Sequence, residues 1–202
     1  MKLIILDRDG TINEEREDFV KSADEWVPLP GALEAIARLN QAGWHTVIAT
    51  NQSGIGRGLF DMAALNAMHQ KLNRLLQKVG GRIDAVFFCP HAAQDSCACR
   101  KPLPGLLTQI GERYGVDLTQ VPMVGDSLRD LQAAVAAGCR PHLVRGGKAA
   151  HLDDDALAQW LAQVPGAQVH ADLAAFAEAM VQQEREARGK AGHADSGYGH
   201  ME

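Results

Sequence analysis

The first residues that could do chemistry are two carboxylates at the end of an apolar segment. Asp7 and Asp9 follow the run LIIL at residues 3–6, and a spacing of two along an extended strand points both side chains the same way. Two neighbouring carboxylates repel each other, so one of them requires a cation or a proton. The pair suits magnesium-assisted phosphoryl transfer, in which one carboxylate attacks phosphorus and the other handles the proton of the leaving group. The alternative is an acidic turn after a strand, and this motif alone does not separate the two.

A glycine-rich segment could hold the oxygens of a phosphate group. Within residues 50–58 (TNQSGIGRG), Thr50 and Asn51 offer a hydroxyl and an amide to phosphate oxygens. Ser53 and the three glycines would form a pliable loop with free N–H groups, and Arg57 adds a cation. The alternative is an ordinary glycine-rich connection.

Two further motifs carry opposite charges. Arg100 and Lys101 lie just before a predicted helix that prolines open, and a pair of cations there suits phosphate binding. Asp126 follows an apolar run, with Asp130 one helical turn later, and Asp126 could complete an oxygen-rich magnesium site with Asp7. The alternatives are a solvated basic pair, a helix cap at Asp126 and a surface acid at Asp130.

Three of the four cysteines crowd into one short segment beside a histidine. In a reducing compartment such a cluster indicates a metal site more than disulfides. The pattern C-x-H, five residues, then C-x-C supplies a closed tetrahedral zinc site from Cys89, His91, Cys97 and Cys99, which would be structural because it leaves no open position. The alternative is three reduced cysteines with an unrelated histidine. Cys139, alone among apolar residues, is interpreted as a small buried hydrophobic residue.

These motifs need a scaffold that brings distant residues together, and the chain alternates strand-like with helix-like segments. Apolar runs predict strands and amphipathic segments predict helices, one of which starts at Asp61 as its N-cap. The alternation predicts an α/β fold: a three-layer, Rossmann-like parallel sheet with ligands at the carboxyl ends of its strands. Asp7, Thr50, Cys89 and Asp126 all lie at predicted strand ends, so we expect them to meet at that edge. The strands are predicted at 3–6, 44–50, 82–89, 121–125 and 141–144, and the helices at 31–43, 61–79, 106–115, 127–138 and 172–187.

The composition favours one domain that acts on small molecules. Hydrophobic residues make up 46% of the 202, enough for one core, and we assign residues 1–187 to that domain with the cysteine-rich loop 89–101 as an insertion. The net charge of −5 gives no basic field for nucleic acid. No apolar run could span a membrane and the N-terminus does not resemble a signal peptide, so we expect a cytoplasmic location. The lack of coiled-coil heptads favours a monomer, and residues 188–202 are predicted to be a disordered tail.

Taken together, the four motifs strongly resemble the haloacid dehalogenase superfamily of phosphatases. That superfamily shows DxD, then Ser/Thr, then Lys, then an acidic motif, matched here by Asp7 with Asp9, Thr50, Lys101, and Asp126 with Asp130. The resemblance implies that Asp7 attacks phosphorus to form an aspartyl-phosphate, while Asp9 acts as general acid and base. Thr50 and Lys101 would hold the phosphoryl oxygens. Magnesium would be held by the Asp7 carboxylate, the Asp9 carbonyl and Asp126.

The motifs DRDGTIN, TNQSGIGRG and CRKP, with the C-x-H…C-x-C loop, narrow the resemblance to the family of D-glycero-D-manno-heptose 1,7-bisphosphate 7-phosphatases. That family has the minimal phosphatase core without a large cap domain, and its zinc loop helps to shape the substrate site. The resemblance implies removal of the 7-phosphate from a sugar bisphosphate, which leaves heptose 1-phosphate for lipopolysaccharide core assembly. We expect Asn51, Ser53, Arg57 and Arg100 to bind substrate, with Arg100 at the phosphate that is not cleaved.

Other functions fit parts of the same pattern. A histidinol-phosphate phosphatase is the nearest alternative, because its family has a similar core and zinc loop. A non-catalytic phosphate-binding module would be expected to lack Asp7 or Asp9, and both are present. A zinc-ribbon-like interaction protein would need an apolar or basic face beside the zinc, and a nucleic-acid end-processing phosphatase would need a basic, aromatic-rich stretch. The sequence offers neither.

Overall fold

A computed structural model describes residues 1–194 of the chain, and strands alternate with helices through that range. The elements are β1 (Leu3–Leu6), α1 (Ala32–Gln41), β2 (His45–Asn51), α2 (Ser53–Gly56), α3 (Met62–Lys78), β3 (Ala85–Cys89), α4 (Gly105–Tyr114), β4 (Pro122–Gly125), α5 (Leu128–Ala137), β5 (Arg140–Val144), α6 (Asp154–Gln163), β6 (Gln168–His170) and α7 (Leu173–Ala194). The strands pair in parallel in the order β3-β2-β1-β4-β5-β6. The predicted three-layer α/β fold is therefore confirmed.

β1 lies between β2 and β4 because its residues are apolar on both faces. Successive side chains of a strand point to opposite faces. Ile4 and Leu6 join the core beneath α1, α3 and α7, whereas Leu3 and Ile5 join the core beneath α4 and α5. With both faces covered, β1 is a rigid base for the residue that follows it, Asp7.

Side-chain caps fix where two of the helices begin. The carboxylate of Asp61 accepts a hydrogen bond from the N–H of Ala64 at 2.9 Å, which confirms the predicted N-cap of α3. Ser127 is the N-cap of α5, in a capping box with Asp130. Asp126, which could have been a helix cap, therefore stands just before the cap with its side chain available for another role.

The connection from β1 to α1 is long, and it is tied to the rest of the fold. Trp26 and Val20 are buried, and the Nζ of Lys71 on α3 donates to the carbonyls of Ala23 and Trp26 at 2.7 and 2.6 Å. This connection and the cysteine-rich loop after β3 are the large insertions at the carboxyl edge of the sheet, and neither forms a separate cap domain. Within residues 1–194, no helix combines the length and the apolarity needed to cross a membrane.

Three parts of the described chain differ from the predicted elements. Residues 53–56 form the short helix α2 where we expected a pliable loop, and α6 and β6 were not predicted. We expected the last helix to end by residue 187 and a disordered tail at 188–202. Instead α7 continues to Ala194, because extending an existing helix adds a hydrogen bond per residue without a new nucleation step. The rest of that predicted tail, 195–202, lies outside the described residues.

Candidate active site

Motif residues from the ends of three strands, together with Arg100 and Lys101 from the cysteine-rich loop, meet in one cavity of ≈ 850 Å³. Asp7 follows β1, Thr50 belongs to β2 and Asp126 follows β4, which is the geometry expected of adjacent parallel strands. The cavity is also lined by the other side chains that we expected to bind substrate or take part in the chemistry, namely Asp9, Asn51, Ser53, Arg57, Arg100, Lys101 and Asp130.

Lys101 is a buried ammonium with three acceptors. Its Nζ donates to Asp7 Oδ1 at 2.8 Å, to Asp130 Oδ1 at 2.7 Å and to the carbonyl of Ala49 at 2.7 Å. Burial opposes the charge, but the carboxylates of Asp130 and Asp7 outweigh it and hold the pKa of Lys101 above its ordinary value. Because all three N–H directions are used, the position of this charge is fixed.

Three buried carboxylates, Asp7, Asp126 and Asp130, cluster at this point, and two of them accept from Lys101. Burial, followed by the charge of Asp130, raises the pKa of Asp7 to about 6 against the opposing effect of Lys101. Burial and the neighbouring Asp7 also raise the pKa of Asp126 well above its ordinary value. The ligand oxygens of Asp7, Asp126 and Asp130 lie within 4.8 Å of one another. Such a surplus of buried negative charge on hard oxygen ligands fits a divalent cation such as Mg²⁺.

Both carboxylate oxygens of Asp130 already accept hydrogen bonds from the protein, so Asp130 is less available than Asp7 or Asp126 to bind a cation. Its Oδ1 accepts from Lys101, and its Oδ2 accepts from the N–H of Ser127 at 3.1 Å and from the Ser127 hydroxyl at 2.8 Å. Asp130 is thus a buried partner of Lys101 and not a surface acid. Asp7 and Asp126 remain as the carboxylates best placed to hold a cation.

Asp126 is held in place by the backbone around it. Its Oδ2 accepts from the N–H of Lys148 at 2.8 Å. A Cβ at Gly10 or at Gly147 would overlap this carboxylate, and both residues have a positive φ, 83° and 43°. Glycine is therefore required at both positions for the two loops to close around Asp126.

Asp9 is held from both sides by hydrogen-bond donors. Its Oδ1 accepts from Arg8 Nε and from Asn13 Nδ2, each at 2.9 Å. Its Oδ2 accepts from Gln52 Nε2 at 3.1 Å, and the same amide nitrogen donates to the Thr50 hydroxyl at 2.9 Å. The carboxylate is thereby oriented at the cavity wall, linked to Thr50 through one buried amide.

Asn51 has a different position from the one expected of a substrate ligand. Its Nδ2 donates to the carbonyl of Lys101, and its Oδ1 accepts from the N–H of Lys101, both at 3.0 Å. The Asn51 side chain lines the cavity, but its amide joins β2 to the main chain of Lys101. We infer that it positions Lys101.

Three arginines of the cavity lack an ion-pair partner among the described residues, although glutamates also line its wall. Arg57, Arg100 and Arg129 line it, and within the described chain none of them has a carboxylate at ion-pair distance. The guanidinium of Arg100 donates through Nη1 to the carbonyl of His91 at 3.3 Å. Partial burial, followed by the charge of Arg129, lowers the pKa of Arg100. An anionic ligand would relieve this repulsion.

The cysteine-rich loop brings its four predicted zinc ligands together. Cys89 Sγ lies 3.4 Å from His91 Nδ1 and 3.9 Å from Cys97 Sγ, and His91 Nδ1 lies 3.3 Å from Cys99 Sγ. Tetrahedral ligands bound at zinc distances stand about 3.5–3.8 Å apart, so the donor set fits zinc. The backbone N–H of Arg100 lowers the pKa of the Cys97 thiol to about 7, which favours the thiolate that a metal binds.

Comparison with known proteins identifies the family. Residues 11–138 match the family model of haloacid dehalogenase-like hydrolases. The chain belongs to this family. The resemblance that the motifs indicated is therefore confirmed, and the carboxylate cluster of this haloacid dehalogenase-like hydrolase stands at the strand edge where the motifs predicted it.

Named relatives of this hydrolase cover nearly its whole length. It is 58% identical to D-glycero-beta-D-manno-heptose-1,7-bisphosphate 7-phosphatase of Bordetella bronchiseptica, over 91% of this chain and 99% of the relative. It is 50% identical to the protein of the same name from Pseudomonas aeruginosa, over 89% and 98%. A crystal structure of D,D-heptose 1,7-bisphosphate phosphatase from B. bronchiseptica, complexed with magnesium and phosphate, superposes with a TM-score of 0.85 at 58% identity, covering 91% of this chain and 99% of that one.

The motif analysis missed four residues of the site in this hydrolase. Arg129 lies inside the motif VGDSLRD, and Gln52 lies inside TNQSGIGRG. Both could have been found by considering every polar residue of these motifs as a candidate for the site. Lys148 follows β5 at the same sheet edge as Asp126, but β5 had no predicted site residue. Arg8 is fully buried against Asp9, although a charged residue at its place in the motif would be expected to be exposed.

Proposed function

We propose that this hydrolase is a magnesium-dependent phosphatase that removes the 7-phosphate of D-glycero-D-manno-heptose 1,7-bisphosphate. One observation carries the proposal: the cavity that contains Asp7 with its buried Lys101 also contains three arginines without carboxylate partners. A bisphosphate has two dianionic ends, and this cavity offers cations for both. The names of the relatives support the same substrate.

The chemistry at the reacting phosphate follows from the positions of Asp7 and Asp9. A carboxylate oxygen of Asp7 forms a bond to phosphorus, and the bond from phosphorus to the sugar oxygen breaks. Asp9 gives its proton to the departing alkoxide, which leaves heptose 1-phosphate and an aspartyl-phosphate. Asp9 then takes a proton from water, whose oxygen attacks phosphorus and releases phosphate and free Asp7.

The neighbouring groups make this attack possible between negative charges. Lys101 is fixed 2.8 Å from Asp7 and offsets part of the charge that builds up on the phosphoryl group. Thr50 lines the same cavity, so we assign these two side chains to the phosphoryl oxygens. Mg²⁺ held by the Asp7 carboxylate, the Asp9 carbonyl and Asp126 would supply further charge neutralisation and orientation.

We further propose a structural zinc ion on Cys89, His91, Cys97 and Cys99. This ion would fix the loop that presents Arg100 and Lys101, because Cys99 directly precedes Arg100 in the chain. With its position fixed, Arg100 is available for the phosphate that is not cleaved, together with Ser53 and Arg57.

The biological setting completes the proposal. We propose that the enzyme is a cytoplasmic monomer that forms heptose 1-phosphate for lipopolysaccharide core assembly. The unpaired arginines argue against histidinol phosphate, whose non-reacting end carries an amine and not an anion.

A phosphate-release screen tests the proposed substrate. Heptose 1,7-bisphosphate, fructose 1,6-bisphosphate, glucose 6-phosphate and histidinol phosphate are compared with Mg²⁺ in excess, and product analysis identifies which phosphate of the heptose remains. We expect the heptose bisphosphate to have the highest kcat/KM, with the 1-phosphate retained. A higher kcat/KM for histidinol phosphate, or loss of the 1-phosphate, would contradict the proposal.

A further inference from the structure

Phe19 stands out in the connection between β1 and α1 because of its backbone. Among the described residues it is the non-glycine with a positive φ, 69°. A bulky side chain rarely adopts this conformation, and such strained residues cluster at functional sites, where the surroundings hold them. Phe19 also lines the cavity that contains the carboxylate cluster.

The turn around Phe19 is held by a small ion network. The Nζ of Lys21 donates to the carbonyl of Phe19 at 3.2 Å and to the Asp18 carboxylate at 2.9 Å, while Arg16 Nε bonds the same carboxylate at 3.0 Å. The next residue, Val20, is buried in the core. These contacts hold the backbone of the turn from which the Phe19 side chain projects.

The ring of Phe19 lies against the guanidinium of Arg57. The guanidinium carbon is 5.8 Å from the ring centroid, within the range of a cation–π interaction. Arg57 directly follows α2, so this contact joins two separate segments of the cavity wall. No carboxylate competes for Arg57 within the described chain, so the ring is what orients its charge.

The backbone of Arg57 is fixed as well, contrary to the pliable loop that its glycine neighbours predicted. The N–H of Arg57 donates to the carbonyl of Ser53 at 3.0 Å, and the N–H of Gly56 donates to the carbonyl of Pro90 at 2.9 Å. A Cβ at Gly56 would overlap that carbonyl, so the loop packs directly on the cysteine-rich loop. The side chain is therefore the part of Arg57 that still needs a partner to hold it.

We propose that Phe19 is a positioning residue that holds the Arg57 guanidinium over the cavity, and that Arg57 so held helps to select substrates with a second phosphate. The inference rests on the proposed function and extends it to a residue outside the phosphatase motifs. Pre-orienting a long side chain lowers the entropy lost when an anion binds, so the effect belongs to substrate binding. The chemical step, at Asp7 and Asp9, does not involve this contact.

A double-mutant cycle tests this inference. Phe19→Leu, Arg57→Ala and the double variant are assayed with heptose 1,7-bisphosphate, and its dissociation constant is measured by calorimetry in the Asp7→Asn background. For Phe19→Leu we expect KM and Kd to rise about threefold, with kcat within about twofold of wild type. Arg57→Ala should raise both about fivefold, and adding Phe19→Leu to it should change nothing further.

A conservative variant separates positioning from simple structural damage. Phe19→Tyr keeps the ring and should restore the KM and Kd of the wild type, whereas damage to the fold would lower the melting temperature and kcat as well. If Phe19→Leu weakened binding equally with and without Arg57, or lowered kcat alone, the inference would be overturned and the proposed function would stay intact. A wild-type enzyme that does not prefer the bisphosphate to a sugar monophosphate would overturn both.

Discussion

Replacing Asp130 by Asn tests whether the buried charges around Lys101 are organised as the geometry indicates. Asp130 uses one oxygen for Lys101 and the other for the N–H and hydroxyl of Ser127, the N-cap of α5. An amide of the same shape has a single oxygen. It can therefore serve Lys101 or Ser127 but not both, and it carries no charge for either.

The size of the effect follows from burial. The side chains of Lys101 and Asp130 are only 3% and 2% exposed, so solvent screens their interaction very little. Removing one partner of such a pair destabilises a protein by about 3–5 kcal/mol. Asp7 remains as a second counter-ion for Lys101, so we take the lower end, about 3 kcal/mol. For a chain of this length that corresponds to a fall in Tm of roughly 6–12 °C.

Thermal unfolding followed by circular dichroism measures this fall, with and without Mg²⁺. Asp61→Asn is the matched control, because Asp61 is an exposed N-cap and Asn caps a helix as well as Asp does. We expect that variant to stay within about 2 °C of wild type. A change in Tm for Asp130→Asn no larger than for the control would show that Lys101 does not depend on Asp130.

Four further outcomes are expected. Asp9→Asn should lower kcat about a hundredfold to ten-thousandfold in steady-state assays while substrate affinity by calorimetry is kept, because its role is proton transfer; lost affinity with normal kcat would contradict that role. Arg100→Ala should lower kcat/KM for the heptose bisphosphate by an amount equivalent to about 1.5–3 kcal/mol of transition-state stabilisation, with a smaller loss for a sugar monophosphate. Equal losses on the two substrates would place Arg100 at the reacting phosphate. Metal analysis should find one zinc per chain in wild type and none in Cys97→Ser, which should also melt lower; a wild type purified without chelator and free of zinc would refute the site. Burial lowers the pKa of His142 from 6.5 to about 4, so the unfolded chain binds more protons in that range, and stability present above pH 6.5 should be lost as the pH falls towards 4. His142→Gln should flatten that dependence of Tm on pH, and an unchanged slope would rule His142 out as its source.

The central strands and the motif residues at their ends could be predicted because their signals are local. LIIL at 3–6 is apolar on both faces, which is typical of a strand in the middle of a parallel sheet. Apolar runs also predict its neighbouring strands. Because the carboxyl ends of parallel strands meet at one edge of the sheet, Asp7, Thr50 and Asp126 are then expected to lie together. Their roles in catalysis stay predictions.

The elements at the far edge of the sheet gave no such signal. β6 has only three residues, two of them exposed, so its sequence lacks the alternation of a half-buried strand. α6 has no fully buried residue and packs through partly buried side chains such as Leu157 and Trp160. Edge elements of this kind are specified by their neighbours more than by their own residues.

The individual side-chain contacts of the site could not be predicted from the sequence, for a different reason. Asn51 and Lys101 are joined by two hydrogen bonds although fifty residues separate them. Arg8 looks like an exposed charge in the motif, but it is fully buried beside Asp9 and Met68. Such contacts depend on how loops from different strands approach one another, and no local pattern records that approach.

The place of β1 in the sheet also sets the order in which the catalytic site matures during synthesis. β1 leaves the ribosome before β2 and β4, and its two neighbours pair with it at different times. β2 pairs with one edge early, and β4 covers the other only after Pro122–Gly125 has emerged. Until then the second edge of β1 has unpaired backbone groups, which is the situation most open to wrong pairing. Asp7 is made well before Asp126, and the two come together only when the second half of the sheet docks. The onset of phosphatase activity therefore reports the joining of the two halves and not the folding of either one.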